Sequence, residues 1–387
     1  MPDPLLPTSA EELRDTVRRC AGEQASIESG GGFTKRLSGG PVADARYRLG
    51  TSKLDRLLAY EPADLTVSVE AGMRLSELSR ILAEGDQFLP LDPPFADRAT
   101  VGGVIATNSS GSRRRRYGTA RDMVIGMRFA TLDGKLVSSG GMVVKNVSGL
   151  DMGKLMIGSF GTLSVISSVN FKVFPRPESS RSFRIGSRSS ATLLEVRREI
   201  LGGLLQPVAI DWLDPRAAEG IGLPSEHSLL VETSGTEAVT SRFGREFAAL
   251  ATKAGAELDP LPTEIWEGVR ESGPGWLEKH PEGAVLGVST ILSRLGELLE
   301  VADDTGCAAL LRAGNAAGIV MARDRDTARR ALRAFRQHGI HARLEAASDN
   351  TKAGISQWDA SGTGLELMQR IKADFDPLML LLSLIHI

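Results

Sequence analysis

Cysteine is nearly absent: Cys20 and Cys307 are the only two in 387 residues. That excludes a disulfide framework and any iron–sulfur cluster held by four cysteines of this chain. No apolar run approaches the ~18 residues that a membrane-spanning helix requires. The opening stretch, MPDPLLPTSAEELRD, lacks the basic-then-apolar layout of a secretion signal. A cytoplasmic protein is the expectation, with any attachment to the inner membrane made through partners. Charge is nearly balanced at a net −2, which argues against nucleic acid or an anionic membrane surface as the main partner. Histidine is sparse, and His227, His280, His338, His341 and His386 all lie beyond residue 177. General-base chemistry by imidazole would have to come from the second half. No spacing of His, Cys and carboxylates marks a zinc or iron site. His338 and His341, at a helix end and the next strand, read as structural.

What is present is ordinary for a soluble globular chain: 42% hydrophobic and 24% charged residues in 41.3 kDa, enough for two cored domains. Residues 8–20 read as a helix capped by Thr8 or Ser9. A short strand at Ala25–Glu28 leads into the turn Ser29-Gly30-Gly31-Gly32. Leu65–Glu70 alternates with period two, the pattern of a half-buried strand. Leu75, Leu78, Ile81 and Leu82 form a helical stripe that Gly85 would end as a left-handed cap. Met127–Leu132, Leu136–Ser138 and Leu163–Phe174 read as further strands. After Pro175-Arg-Pro177 the rhythm changes. Strands at Ser182–Gly186, Pro207–Leu213 and His227–Ser234 alternate with helices at Ala191–Leu204 and Thr236–Ala254. A second pass runs through strand Ala284–Ser289, helix Ile291–Val301, strands Ala308–Ala313 and Gly318–Arg323, helix Asp326–His338 and strand His341–Ala346. This repeated β-α-β order predicts a ferredoxin-like α+β domain over 178–350. A last helix, about Gly364–Ala373, is expected to return to the first domain. No short-period repeat or low-complexity tract is seen.

The chemistry-bearing segments lie between residues 29 and 177. Ser29-Gly-Gly-Gly-Phe-Thr-Lys35 follows a strand and could cradle a phosphate through Gly30, Gly31, Gly32 and Thr34, or be a plain turn. It is no nicotinamide-type fingerprint, since the sixth position from Gly30 is Lys35. Nor is there a P-loop: Gly149 to Gly153 is one residue too short, and Leu155 follows Lys154. Thr100-Val101-Gly102-Gly103, with Thr107, Asn108, Ser109 and Gly111, offers close main-chain approach plus donors and acceptors. The alternative is a small-residue helix start packed on a sheet. Arg113–Arg116 suits phosphate or carboxylate recognition, or an acidic partner surface; a solvated loop is the competing reading. In Val143–Leu150, Lys145 could balance a ligand's negative charge and Asn146 could bond a ring edge, or the segment is a hairpin with an exposed lysine. Gly149 follows, and Gly158-Ser-Phe-Gly161-Thr162 turns the chain into an apolar strand containing Ile166. In the second half, Arg270 and Arg312 are cationic candidates for gripping a substrate carboxylate, with surface salt bridging as the bland alternative.

The order PLDPPFADRATVGGVIATNSSG, RRRRYGTARDMVIGM, GGMVVKNVSGLDMGKLMIGSFGTL resembles the FAD-binding fold of the vanillyl-alcohol oxidase (PCMH-type) family. Within it, the E-type subunits of bacterial glycolate oxidase are the group it is most similar to, strongly over about 25–177 and more weakly to about Pro377. The resemblance implies α+β architecture: an FAD-binding domain over 1–177, a cap over 178–350 and a return over 351–381. It assigns the glycine loop to the FAD diphosphate and Gly158, Gly161, Thr162 and Ile166 to the adenine side. It also sets Arg121 and Asp122 near the flavin, although an internal ion pair is the competing explanation. Leu150 stands where the family usually has Tyr. The loop contains neither His nor Cys, so noncovalent FAD is expected. The implied reaction is oxidation of a 2-hydroxy acid, glycolate to glyoxylate. The implied partners are a D-type flavoprotein subunit and an iron–sulfur subunit. A non-catalytic flavin scaffold and a stand-alone FAD-dependent oxidase are the other readings, and Lys145, Arg270 and Arg312 are the only catalytic candidates. The final LSLIHI (382–387) is taken as an extraneous tail. The family's Asn-Pro-Gly segment does not follow Phe375–Pro377, so a slightly longer natural chain is expected.

Overall fold

The computed structural model describes residues 4–40, 44–142, 151–204, 206–355 and 363–382. The first helix, Ala10–Gly22, starts where Ser9 Oγ accepts the Glu12 amide, and it buries Leu13, Val17 and Cys20 at helical spacing. These pack on β1 (Ile27–Gly30) and β2 (Tyr47–Gly50), which run parallel to each other. The β-branched runs that follow supply β3 (Leu57–Glu61), β4 (Thr66–Glu70), β5 (Gln87–Phe88), β6 (Val124–Ala130), β7 (Leu136–Gly140), β8 (Val165–Lys172) and β9 (Phe174–Pro175). Five of them form an antiparallel sheet in the order β3-β4-β8-β6-β7, while β5 and β9 pair separately.

Two local expectations need correction. The strand expected to be half-buried, β4, is buried at every residue. Its apolar Val67 and Val69 join the core, while its polar face is closed by partners instead of water. Ser68 Oγ donates to Asn170 Oδ1 at 2.7 Å, and Glu70 accepts Arg56 Nη2 at 2.8 Å. After the helix Leu75–Glu84, Gly85 has φ −101°, and the left-handed residue is Asp86 at φ 52°.

The second half holds β10 (Ser179–Ser187), β11 (Ala209–Leu213), β12 (His227–Gly235), β13 (Glu257–Leu261), β14 (Ala284–Ser289), β15 (Ala308–Arg312), β16 (Ala317–Ala322) and β17 (His341–Ala347). They form one antiparallel sheet ordered β13-β10-β12-β11-β15-β16-β14-β17. The first four strands have the ferredoxin-like order, and the last four repeat it in reverse. The two βαββαβ units share a seam where Asp211 faces Arg312. One face carries the four helices 190–202, 237–254, 295–304 and 325–337 over a core centred on Trp212, Phe247 and Phe335. Part of the other face is covered by the helix Ile265–Lys279 through Val269, Trp266 and Trp276. That helix and β13 escape sequence reading because Pro274 and Pro260 interrupt them. Pro260 is tolerated on an edge strand, where its missing N–H costs no ladder bond.

The arginine run holds these halves together. Arg113 donates to both carboxylate oxygens of Glu232 at 3.0 and 2.7 Å. Arg115 donates to Gly314 O and Gln206 Oε1. Ser112 Oγ donates to Asp211 Oδ2 at 2.5 Å, and Glu271 accepts the Phe95 amide at 2.7 Å. Neither a solvated loop nor a partner-docking strip describes Arg113 and Arg115, since both are already engaged within the chain.

The helix Thr363–Phe375 brings the chain back, and β18 (Leu381–Leu382) pairs parallel with β1. Leu382, grouped with the tail by sequence, is thus part of a strand; 383–387 lie outside the described residues. Lys372 and Asp376 lock this return. Lys372 Nζ reaches Asp376 Oδ2 at 2.5 Å and Thr162 O at 2.8 Å, while Asp376 accepts the amides of Leu380 and Leu381. Among the described residues no helix is long and apolar enough to cross a membrane. Because Asp376 is 0% exposed, Lys372→Met would leave a buried carboxylate unpaired. A loss of about 3–5 kcal/mol is expected, read from denaturant midpoints; an unchanged midpoint would refute the latch.

Candidate functional site

The end of β1 opens into a loop that makes close main-chain contacts. A Cβ on Gly31 would lie 2.0 Å from Thr100 Oγ1, and one on Gly32 would lie 2.0 Å from Arg98 O. Only glycine lets this loop sit on the 98–100 segment. Thr100 then caps the helix Val101–Ala106, its Oγ1 accepting the Gly103 amide at 3.4 Å. Gly102 presses the helix onto Ala71, where a Cβ would come within 2.8 Å of Ala71 Cβ. Gly103 turns the other way. Its Cβ would meet only Thr100 Oγ1, at 3.3 Å, and it faces a cleft. The segment is a helix start packed on a sheet, and it also forms a wall of the cleft.

The opposite wall is the turn 158–161 and the start of β8. Gly158 N and Phe160 N donate to Ile105 O and Ala106 O at 3.1 and 2.7 Å, fixing the two walls to each other. Phe160 and Gly161 take left-handed φ values of 54° and 74°. Leu382 of β18 closes one side, so the C-terminal return contributes to the cleft itself.

Of the residues expected here, Gly30, Gly31, Gly32 and Thr34 line the cleft, as do Thr100, Gly102, Gly103 and Thr107, together with Gly161 and Ile166. Several others do not line it. Val101 is core at 1% exposure, and Thr162 is buried with its carbonyl on Lys372. Gly158 sets the backbone turn beside Asn108, and Ser109 lies beyond the helix end. Gly111 N is bound to Asp92 Oδ1 at 2.8 Å. Arg121 and Asp122 are exposed and do not pair with each other. Arg121 donates to Lys154 O, while Asp122 caps its own helix by accepting the Thr119 amide. Lys145, Asn146 and Gly149 lie outside the described residues. Sequence reasoning missed Phe33, Lys35, Phe160, Ser164 and Leu382 as lining residues. Lys35 had been noticed only as the residue that broke a dinucleotide pattern.

Asn108, at φ 47° just beyond the helix, does not line the cleft, and its buried Oδ1 has no hydrogen-bond partner among the described residues. One feature fits the cleft to a ligand with phosphates. Lys35 sits on the cleft wall with its ammonium 5.9 Å from the Phe95 ring centroid. Burial pulls its pKa down, and Glu345 and Glu271 partly oppose that. A nearby diphosphate would favour its charged form.

The second-half cations stand elsewhere. Arg312 is bonded to the fully buried Asp211 at 2.5 Å, which is an interior pair and not a surface bridge. Burial raises the Asp211 pKa, with Arg312 opposing it. Arg270 touches Glu271 at 3.4 Å and lines a separate polar cleft between the halves, of about 1430 Å³, with Asp92, Arg113 and Arg176.

Residues 5–149 match the family model described as "FAD binding domain". The chain is 34% identical over 209 residues to the glycolate oxidase subunit GlcE of Escherichia coli (strain K12), covering 53% of this chain and 57% of that one. It is 26% identical over 265 residues to the glycolate oxidase subunit GlcD of Bacillus subtilis (strain 168), covering 66% and 56%. The chain thus spans a little over half the length of these curated relatives. Among solved structures, p-cresol methylhydroxylase with substrate bound superposes with a TM-score of 0.73 over 97% of this chain and 86% of that one, at 13% identity.

A leucine at position 103 has room to fold only by entering the cleft. Gly103→Leu is therefore expected to keep its thermal midpoint without cofactor and lose FAD, read as absorbance near the flavin band after purification. Full flavin content would remove Gly103 from the binding wall. The glycine-seated loop, the matched segment and the superposition agree: residues 5–149 form an FAD binding domain, in a chain with the vanillyl-alcohol oxidase/p-cresol methylhydroxylase-type FAD-binding fold.

Proposed function

We propose that this chain is the FAD-binding subunit of a glycolate oxidase or dehydrogenase complex. It would support oxidation of a 2-hydroxy acid, glycolate to glyoxylate, beside a D-type flavoprotein subunit and an iron–sulfur subunit that receives the electrons. The observation that carries this reading is the cleft, where glycine-lined main chain and Lys35 converge. Its likeness to GlcE and GlcD supports the substrate class and a multi-subunit assembly.

Each wall has a distinct role in this reading. The amides of the Gly30–Gly32 loop and Thr34 bind the diphosphate, since successive loop N–H groups form a concave anion site. Lys35 balances its charge. Gly102 and Gly103 admit the ligand's main axis, and Phe160 and Ile166 give apolar contact. Bound FAD would supply the ability to take up a hydride, two electrons and one proton, from the C–H bond, while the hydroxyl proton leaves to solvent and the carbonyl forms. The protein orients the ring and keeps water from it. None of the described residues lining the cleft is His or Cys, which supports a cofactor held without a covalent bond. Residues 178–350 form the cap over the substrate side.

A flavin scaffold without its own catalysis is the second reading. It is favoured by one observation: neither Arg270 nor Arg312 lines the cleft, and both are ion-paired. Anaerobic addition of glycolate to the purified FAD-loaded chain separates the two. Bleaching of the flavin band supports catalysis in this chain, and an unchanged band supports the scaffold. Acid precipitation is expected to leave the yellow colour in the supernatant; a yellow pellet would contradict noncovalent binding.

A further inference from the structure

The loop that lines the cofactor cleft is held from the cap at both of its ends. Past Gly30–Lys35 the chain turns, with the Ser38 amide donating to Lys35 O at 2.8 Å. Leu37 O then accepts the Ala347 amide at 2.9 Å, and Ser38 stands opposite Ala346 in an antiparallel bridge. Ala346 and Ala347 belong to β17, the edge strand of the cap sheet. The far end of the loop therefore occupies hydrogen-bonding groups of an otherwise open edge.

At the near end the contact comes from Glu271 of the helix Ile265–Lys279. Its Oε1 accepts the Phe95 amide at 2.7 Å. Phe95 has φ 62°, a conformation that a residue with a side chain keeps only where its neighbours hold it. The carbonyl of Phe95 accepts the amides of Arg98 and Ala99, at 2.9 and 2.7 Å. Those bonds set Arg98 O and Thr100 in the places against which Gly32 and Gly31 sit. The Phe95 ring also stands 5.9 Å from the Lys35 ammonium, measured to its centroid. One carboxylate of the cap thus fixes the turn that seats the glycines and faces the lysine.

We infer that Glu271 is a positioning residue for the FAD diphosphate loop, so that cofactor affinity depends on the docked cap. Glu271 does not line the cofactor cleft and acts through Phe95. The bridge to β17 anchors the other end of the same loop. Such a coupling is reciprocal: if the docked cap raises the affinity for FAD, bound FAD must hold the cap helix by the same factor. The inference rests on the assignment of this loop to the diphosphate.

The test uses the full chain stripped of flavin, as wild type, Glu271→Ala, Glu271→Gln and Arg115→Met. Each is titrated with FAD while flavin fluorescence is followed. Glu271→Ala is expected to raise the FAD Kd about tenfold. Glu271→Gln keeps an oxygen that can accept the Phe95 amide and should recover most of the affinity. Arg115→Met breaks a different bond between the halves, to Gly314 O, and should leave the Kd unchanged. Amide hydrogen exchange gives a readout without cofactor: residues 95–103 should exchange faster in Glu271→Ala than in wild type. FAD should slow exchange across 265–279 in wild type and not in Glu271→Ala. Equal FAD affinity in wild type and Glu271→Ala would overturn the inference. An equal loss in Arg115→Met would do the same, since it would mark a general loosening of the halves. A wild type that takes up no FAD would instead sink the cofactor reading, and exchange at 95–103 would still decide whether Glu271 holds the turn.

Discussion

The contact between the Gly31–Gly32 main chain and the Arg98–Thr100 segment is the constraint on which the rest of the site depends. With side-chain-free Cα atoms this close to Thr100 Oγ1 and Arg98 O, the loop after β1 and the N-terminus of the next helix become one wall. That wall fixes where Gly103 faces and where Asn108 leaves the helix, and the bonds from Gly158 and Phe160 tie the opposite wall to it. A loop with a Cβ at either glycine would have to lift away, and the cleft would lose its shape.

The two halves meet through buried charge instead of an apolar seam. Glu232 is 3% exposed and Asp211 0%, and each is partnered from the 112–115 segment. Burying carboxylates is unfavourable unless the geometry is good, so these pairs define one mutual placement of the halves more than they add stability.

The return of the chain has a comparable logic. The Lys372–Asp376 pair ties the last helix to the carbonyl of Thr162 and to the amides that lead into β18. Since Leu382 lines the cleft, the final described residues act on the site formed by the first hundred.

Much of the fold could be read from sequence because it is local. The period-two runs, the helical stripes and the repeated β-α-β order depend on spacing alone, and so does the identity of the glycine loops. What misled was context. The alternation of β4 suggested a solvated face, but Asn170, 102 residues on from Ser68, and the nearby Arg56 cover it. Pro260 and Pro274 interrupt the periodicity, but an edge strand and a packed helix accommodate them. The four arginines read as a single basic strip, yet the cap sheet distinguishes them: two are clamped, one is exposed and one is left without a counter-ion. Sequence determined which residues could approach a flavin nucleotide, since absent Cβ atoms and short polar side chains are intrinsic properties. Tertiary structure alone decided which of them line the cleft and which arginines are clamped, because burial and pairing depend on neighbours that the chain supplies from a hundred or more residues away.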